Sequence, residues 1–162
     1  MADSYITVDT KGLDRLIARY RPELQERIRK ILNDGSIIVQ REMRLKAPQG
    51  VSQRGIRETI VYEVNNGYAV IRPSASYAIW VEKGRLPGKM PPWRAEWKGG
   101  EGFVRWADAH GIPPFVLARS IARKGTRPKW FVRESYRKTK PQVERYAAVQ
   151  INKLVAELNR GK

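Results

Sequence analysis

The chain contains no cysteine and a single histidine, His110, among its 162 residues. Without cysteine there can be no disulfide, no thiolate nucleophile and no cysteine-ligated zinc, so the fold must be stabilised by packing. A metal site would need several His, Asp or Glu ligands that converge, and acidic residues are sparse between residues 101 and 140. Neither a G-x-x-x-x-G-K-[ST] loop nor a G-x-G-x-x-G turn occurs. We therefore predict no metal and no cofactor.

Long apolar runs are also missing. No stretch approaches the roughly 20 residues that cross a bilayer. Residues 1–5 lack the basic and then apolar layout of a signal peptide. We expect a soluble, intracellular protein that makes no membrane contact.

Catalytic signatures are scarce. His110 follows Asp108 by two residues, but no second histidine and no G-x-S-x-G elbow accompanies this pair. A surface or helix-terminal histidine is the simpler interpretation. Residues 96–98 have the Glu-x-Lys spacing of some nuclease sites, yet no aspartate occurs between Asp34 and Asp108. The sequence predicts a protein that is not an enzyme.

Acidic residues are half as numerous as basic ones, 16 against 32, so the net charge is +16. This excess indicates a polyanionic partner or an acidic protein surface. It is concentrated in residues 119–140, where basic groups alternate with Trp130, Phe131 and Tyr136. Two interpretations stay open: a surface for the nucleic-acid backbone, or a solvated basic face beside core aromatics. The basic-patch residues are Arg119, Arg123, Lys124, Arg127, Lys129 and Arg133.

Helical periodicity is strongest near the N-terminus. A short strand over residues 5–8 should be followed by a helix over 13–20. A long helix is then predicted from Pro22 to Lys46, because its apolar stripe keeps phase across Asn33-Asp34-Gly35. Gly35 would face the core and let another backbone approach. The alternative is a helix stop at Gly35 with a new helix capped by Ser36.

The middle of the chain favours β-structure. Residues 59–64 and 68–71 flank an Asn-Gly turn and predict a hairpin. Residues 77–81 predict a third main strand, which would continue an antiparallel meander.

An insertion at about residues 85–125 should follow that strand. It combines a Gly/Pro-rich loop with helices over 101–109 and from Pro113-Pro114, before a last helix from about Pro141 to Asn159. The predicted fold is α+β: a small antiparallel sheet packed on a long N-terminal helix and a C-terminal helix, in one domain spanning 1–162.

Four segments in this order resemble a family from tailed phages. They are Ala47-Pro48; Gly55-Ile56-Arg57-Glu58-Thr59-Ile60; Tyr77-Ala78 with Val81-Glu82-x-Gly84; and Gly125-Thr126-Arg127-Pro128 followed by Trp130-Phe131. The family is the tail-completion or neck component of long-tailed double-stranded DNA phages, also described as a head–tail joining or minor tail component. Its members usually carry Gly-Thr where this chain has Gly84-Arg85, and many lack the long insertion.

The resemblance implies a structural virion protein of the neck or tail, made in the host cytoplasm. It would form a homo-oligomeric ring, six subunits by analogy with tail symmetry, between the connector and the tail-terminator or tail-tube proteins. Non-specific contact with genomic DNA would be compatible with this role. A sequence-independent DNA-binding accessory protein is the alternative function.

Aromatic residues beside Gly/Pro-rich loops are favoured interface anchors, although they could simply cap a small core. The interface residues we predict are Tyr77, Trp80, Glu82, Trp93, Trp97, Trp130 and Phe131.

Overall fold

The computed structural model describes residues 6–9, 22–49, 55–75 and 77–160. Three strands and five helices occur in these ranges. The strands are β1 (Ile6–Asp9), β2 (Ile60–Asn65) and β3 (Tyr68–Pro73). The helices are α1 (Pro22–Lys46), α2 (Ala78–Lys83), α3 (Gly100–Ala109), α4 (Pro114–Lys124) and α5 (Phe131–Arg160). The helix predicted over 13–20 lies outside the described residues.

The three strands form one antiparallel sheet in the order β1-β3-β2. The hairpin is confirmed, with Asn65 paired to Tyr68 across a two-residue Asn-Gly turn. Gly67 has a φ of +89°, which this kind of turn requires and which glycine adopts at little cost. The inward face of β2 and β3 carries fully buried Ile60 and Ile71.

Helix α1 packs against β2, β3 and α5. It therefore lies at the centre of the part of the fold outside residues 85–125, which we call the body. The predicted α+β class, with a long N-terminal and a C-terminal helix packed around a small sheet, is confirmed. Helix α1 is continuous across Gly35, as the apolar phase indicated. Gly35 is buried, and a Cβ built there would lie 3.4 Å from a methyl carbon of Val143 in α5. The group that lies against Gly35 is therefore a side chain of α5, not the backbone that the sequence predicted.

Small and hydroxyl residues line the contact between α1 and α5. Ser36, Ser135 and Thr139 are buried, and each hydroxyl donates to the carbonyl four residues earlier in its own helix, at 2.6–2.8 Å. These bonds satisfy the hydroxyls without a cross-helix partner, so the two helices can approach closely.

The predicted strand over residues 77–81 is wrong: this segment is the short helix α2. A meander strand after β3 would need the edge of β3 opposite β2, and β1 already occupies that edge. The helical turn also places Ala78 and Glu82 on the buried side. The insertion therefore follows a helix, although its two internal helices, α3 and α4, are found where they were predicted.

The last helix begins at Phe131, ten residues before the predicted start at Pro141. Proline favours a first helical turn, which is why the sequence indicated Pro141 as the beginning. In the structure Pro141 is exposed on the surface of α5, so the carbonyl that lacks its usual donor can be hydrated. The earlier start depends on Glu82, a residue 49 positions away from Phe131.

Within the described ranges, no helix combines the length and the apolar character needed to cross a membrane.

Candidate docking site

The base of the insertion is closed by a two-stranded contact between Arg85 and Thr126. The backbone N–H of each residue donates to the carbonyl of the other, at 3.0 and 2.8 Å. Gly84 and Gly125 flank this bridge with φ values of +70° and +71°. A Cβ at Gly84 would lie 2.4 Å from the Thr126 carbonyl oxygen, and one at Gly125 would lie 2.1 Å from that of Arg85. Only glycine fits either position.

The bridge continues as a non-helical segment over residues 126–130, which we call the strap. Lys129 N–H donates to the Val81 carbonyl at 2.9 Å, and Trp130 N–H donates to the Glu82 carbonyl at 3.1 Å. The strap is thus fixed to Arg85 at its start and to α2 at its end.

Glu82 anchors the end of the strap to the body. Its side chain is 3% exposed, and its carboxylate accepts hydrogen bonds from the backbone N–H groups of Val132 and Arg133, at 2.8 and 3.0 Å. These are the second and third residues of α5, whose N–H groups have no partner inside the helix. Trp130, the residue before the helix, has no side-chain acceptor, so Glu82 supplies the cap and its charge complements the helix dipole.

Trp130 has a φ of +50°, a conformation that costs energy in a residue with a Cβ. The hydrogen bonds around it hold that conformation. Its ring is 36% exposed and lies 5.4 Å from the guanidinium carbon of Arg133.

A cleft of about 670 Å³ separates the insertion from the body. One wall comes from the end of α1, the turn before β2 and helix α2; the other comes from the insertion. Ile56 and Pro91 are buried in its lining, whereas Tyr77, Trp80 and Trp106 are 41–58% exposed. The cleft therefore has an apolar interior and an aromatic margin.

Polar groups in the cleft are few, and the charged ones among the described residues are cationic. Arg85 and Arg105 contribute to its lining, and no Asp or Glu does so among the described residues. The guanidinium of Arg85 donates to the Lys89 carbonyl, and Arg105 pairs with Glu101 on the same helix. Partial burial, and to a smaller extent the charge of Glu58, raise the pKa of the Tyr77 hydroxyl above 10.0. That hydroxyl therefore stays protonated and can donate a hydrogen bond at neutral pH.

A second aromatic cluster stabilises the insertion itself. Trp93 makes edge contacts with Trp97 and Phe115, with ring centroids 5.7 and 5.1 Å apart. The Arg94 guanidinium lies over both indoles. Trp97 remains 47% exposed but does not line the cleft.

The seven predicted interface residues lie in different places. Tyr77 and Trp80 lie at the cleft, and Trp93 and Trp97 lie in the insertion's own cluster. Trp130 is 36% exposed on the strap, outside the cleft. Glu82 and Phe131 are 3% and 1% exposed, so they stabilise the fold and do not form part of a surface. Sequence reasoning left Phe103, Ile56 and the prolines of the cleft out of the site. Pro48 and Ile56 lie in segments that resemble the phage family, whereas Phe103, Pro91 and Pro92 carry no such signal.

The six residues of the basic patch lie on α4, on the strap and on α5. Arg119, Arg123 and Lys124 lie on α4, and the last two extend from its final turn, where the helix dipole favours cations. Arg127 and Lys129 lie on the strap, and Arg133 packs over Trp130. None of these six exposed residues forms an ion pair with a carboxylate in the described part of the chain.

His110 is exposed at the end of α3. Its ring stacks on Trp106, with centroids 3.9 Å apart, and its Nδ1 lies 2.8 Å from the Trp106 carbonyl oxygen. In the described ranges, no three His, Asp or Glu side chains are grouped so that they could hold a metal ion.

Comparison of the chain with known protein families, with curated proteins and with solved structures found no match.

Proposed function

We propose that the chain is a structural subunit of the head–tail junction of a long-tailed phage, where it joins tail to head in a ring around the DNA path. In this role it contacts its own copies, the connector and the tail-terminator or tail-tube proteins. It works by shape and by docking surfaces.

One observation carries the proposal. The four segments that resemble the phage family are far apart in sequence, yet each contributes to a single hydrophobic cluster. That cluster includes Ala47, Ile56, Ala78 and Phe131. If the resembling residues were scattered over the surface, the resemblance would carry little weight. Because the four segments pack in one core, the resemblance describes a single three-dimensional arrangement.

Polar contacts link the same segments in pairs. Arg57 Nε donates to the Ala47 carbonyl at 2.8 Å, which joins the end of α1 to the turn before β2. Glu82 caps α5, and Arg85 pairs with Thr126, which joins the third segment to the fourth. The insertion therefore begins and ends at the bridge between Arg85 and Thr126.

The direct test is removal of the gene from the phage or prophage that carries it. We expect filled heads and finished tails that remain separate under the electron microscope. Supplying the wild-type chain from a plasmid should restore joined particles. Joined, infectious particles in the absence of the chain would contradict the proposal.

A second candidate function, sequence-independent DNA binding, is favoured by the six basic-patch residues, none of which pairs with a carboxylate in the described ranges. Neutralised phosphates release counterions, so affinity for a duplex should fall with salt, with a slope of about −0.9 per phosphate contact. Replacing Arg123, Lys124 and Arg127 together by Gln should reduce the magnitude of that slope by about 3.

The matched control removes the same charge from the exposed face of α1, through Arg29→Gln, Lys30→Gln and Arg41→Gln. A fluorescein-labelled 20-base-pair duplex reports binding by anisotropy. No binding at low salt, or an equal loss from both triple variants, would eliminate a specific role for the patch.

A further inference from the structure

The cleft between α2 and the insertion has the size and lining of a binding site. Its volume, about 670 Å³, lies within the roughly 300–1,000 Å³ typical of ligand pockets. Its lining includes Tyr, Trp and Arg, the three residue types that most often dominate binding energy at protein interfaces.

The charged residues of the cleft indicate the chemistry of its ligand. Arg85 and Arg105 are its charged residues, and no described carboxylate lines it. Among the described residues, Arg105 pairs with exposed Glu101, through a salt bridge that contributes little in water and that an incoming carboxylate could replace. A planar guanidinium also favours carboxylate partners, because it can bind both oxygens at once.

The remainder of the lining favours a peptide over a nucleic acid. Pro91, Pro92, Phe103 and Ile121 provide an apolar wall with little for a phosphate chain to contact. The cations that would suit phosphates, and that have no carboxylate partner in the part of the chain that the structure describes, lie instead on α4 and the strap. A peptide segment with apolar and acidic side chains matches both features of the cleft.

The partner should be a different protein. Acidic residues are half as numerous as basic ones in this chain, 16 against 32, so a second copy is a poor source of an acidic segment.

We propose that this cleft binds a short segment of a different protein, in which an Asp or Glu stands next to an aromatic, proline or aliphatic residue. The ring edges of Tyr77, Trp80 and Trp106 cover the apolar side chain, and Arg105 and Arg85 bind the carboxylate. The inference rests on the proposed function only in that the chain works by docking to another protein.

The experiment selects peptides from a random seven-residue display library on the purified full-length chain. Enriched peptides are then synthesised with a fluorophore and titrated by anisotropy. We expect enrichment of sequences that place a carboxylate beside an apolar residue. Trp80→Ala and Arg105→Gln should each weaken their binding by about tenfold or more, because each removes a central contact.

Two substitutions outside the cleft serve as controls. Tyr136→Ala removes an aromatic ring that is 43% exposed on α5, and Arg119→Gln removes a cation that has no carboxylate partner among the described residues. Both should bind the selected peptides as the wild type does. If Trp80→Ala does not fold, as judged by its thermal unfolding, Trp106→Ala takes its place.

Several outcomes would overturn the inference. They are a failure to enrich any peptide, enrichment of peptides without a carboxylate, and equal binding by wild type and Trp80→Ala. Enriched sequences that match this chain itself would identify a second copy as the partner and contradict the proposal of a different protein. Peptide binding is measured on the purified chain, so it is independent of whether particles lacking the chain are joined.

Discussion

Replacing Glu82 by Gln tests how the body, the strap and α5 are held together. The wild-type carboxylate accepts two backbone hydrogen bonds, from Val132 and Arg133, in a site that is 3% exposed. Glutamine keeps the shape but replaces one oxygen by an amide that can only donate. One charged hydrogen bond is then lost, at about 1.5–3 kcal/mol. The other becomes neutral and loses about half its strength, ~1 kcal/mol.

The free energy of unfolding should therefore fall by about 3 kcal/mol. In a chain of this size that loss lowers Tm by about 6–12 °C, measured by circular dichroism. Glu101→Gln, which breaks only the exposed pair with Arg105, is the control and should cost about 0.5 kcal/mol or less. A Glu82→Gln protein within about 0.5 kcal/mol of wild type in urea unfolding would refute the capping role.

Three further predictions concern the bridge, the insertion and the partly exposed Tyr146. Gly125→Ala should destabilise the chain by about 3 kcal/mol, because backbone strain is added to a clash with the Arg85 carbonyl, and it should speed proteolysis of the insertion. The control is Gly102→Ala, which has open space around it and should be neutral or stabilising. Replacing residues 86–124 by a short Gly-Ser turn should leave the far-ultraviolet spectrum of a folded α+β protein, since the bridge already closes the ends; an unfolded product would contradict this. The hydrogen bond to Asp34, with burial and the Asp34 charge, raises the pKa of Tyr146 to about 12. Stability from this bond should be complete below pH 10 and be lost as pH rises from about 10 to 12, and Asp34→Ala should move the absorbance titration back toward 10; an unchanged titration would contradict the assignment.

Local patterns predicted the elements whose sequence signal lies within one stretch of chain. The apolar stripe of α1 continues through Asn33-Asp34-Gly35, and the helix packs on the sheet and on α5. The Asn-Gly dipeptide predicted the hairpin because few residues tolerate its turn. In both cases the pattern that indicates the element is visible without knowledge of its distant contacts.

The errors came from distant contacts. Residues 77–81 contain the aromatic and β-branched side chains that strands favour, but β1 already occupies the edge of the sheet where that strand would pair. Helix α5 begins at Phe131 because Glu82 supplies a cap from 49 positions away, which no window around Pro141 could reveal. Tertiary structure overrode local preference at both places.

The site was predictable only in part. Aromatic density near loops indicated Tyr77 and Trp80, and both lie at the cleft. Glu82 and Phe131 were selected from the same segments, but burial inside the body gives them a structural role. The cleft itself is lined by segments of the body and the insertion that are distant in sequence, so its existence depends on how the insertion folds back over α2.

The most direct test of the central claim is to locate the chain in intact particles. Cryo-electron microscopy of purified virions, with mass spectrometry of their proteins, would supply the position. We expect the chain among the virion proteins and density matching α1, α5 and the small sheet repeated around the axis at the head–tail junction. Absence of the chain from particles that are fully joined would contradict the account.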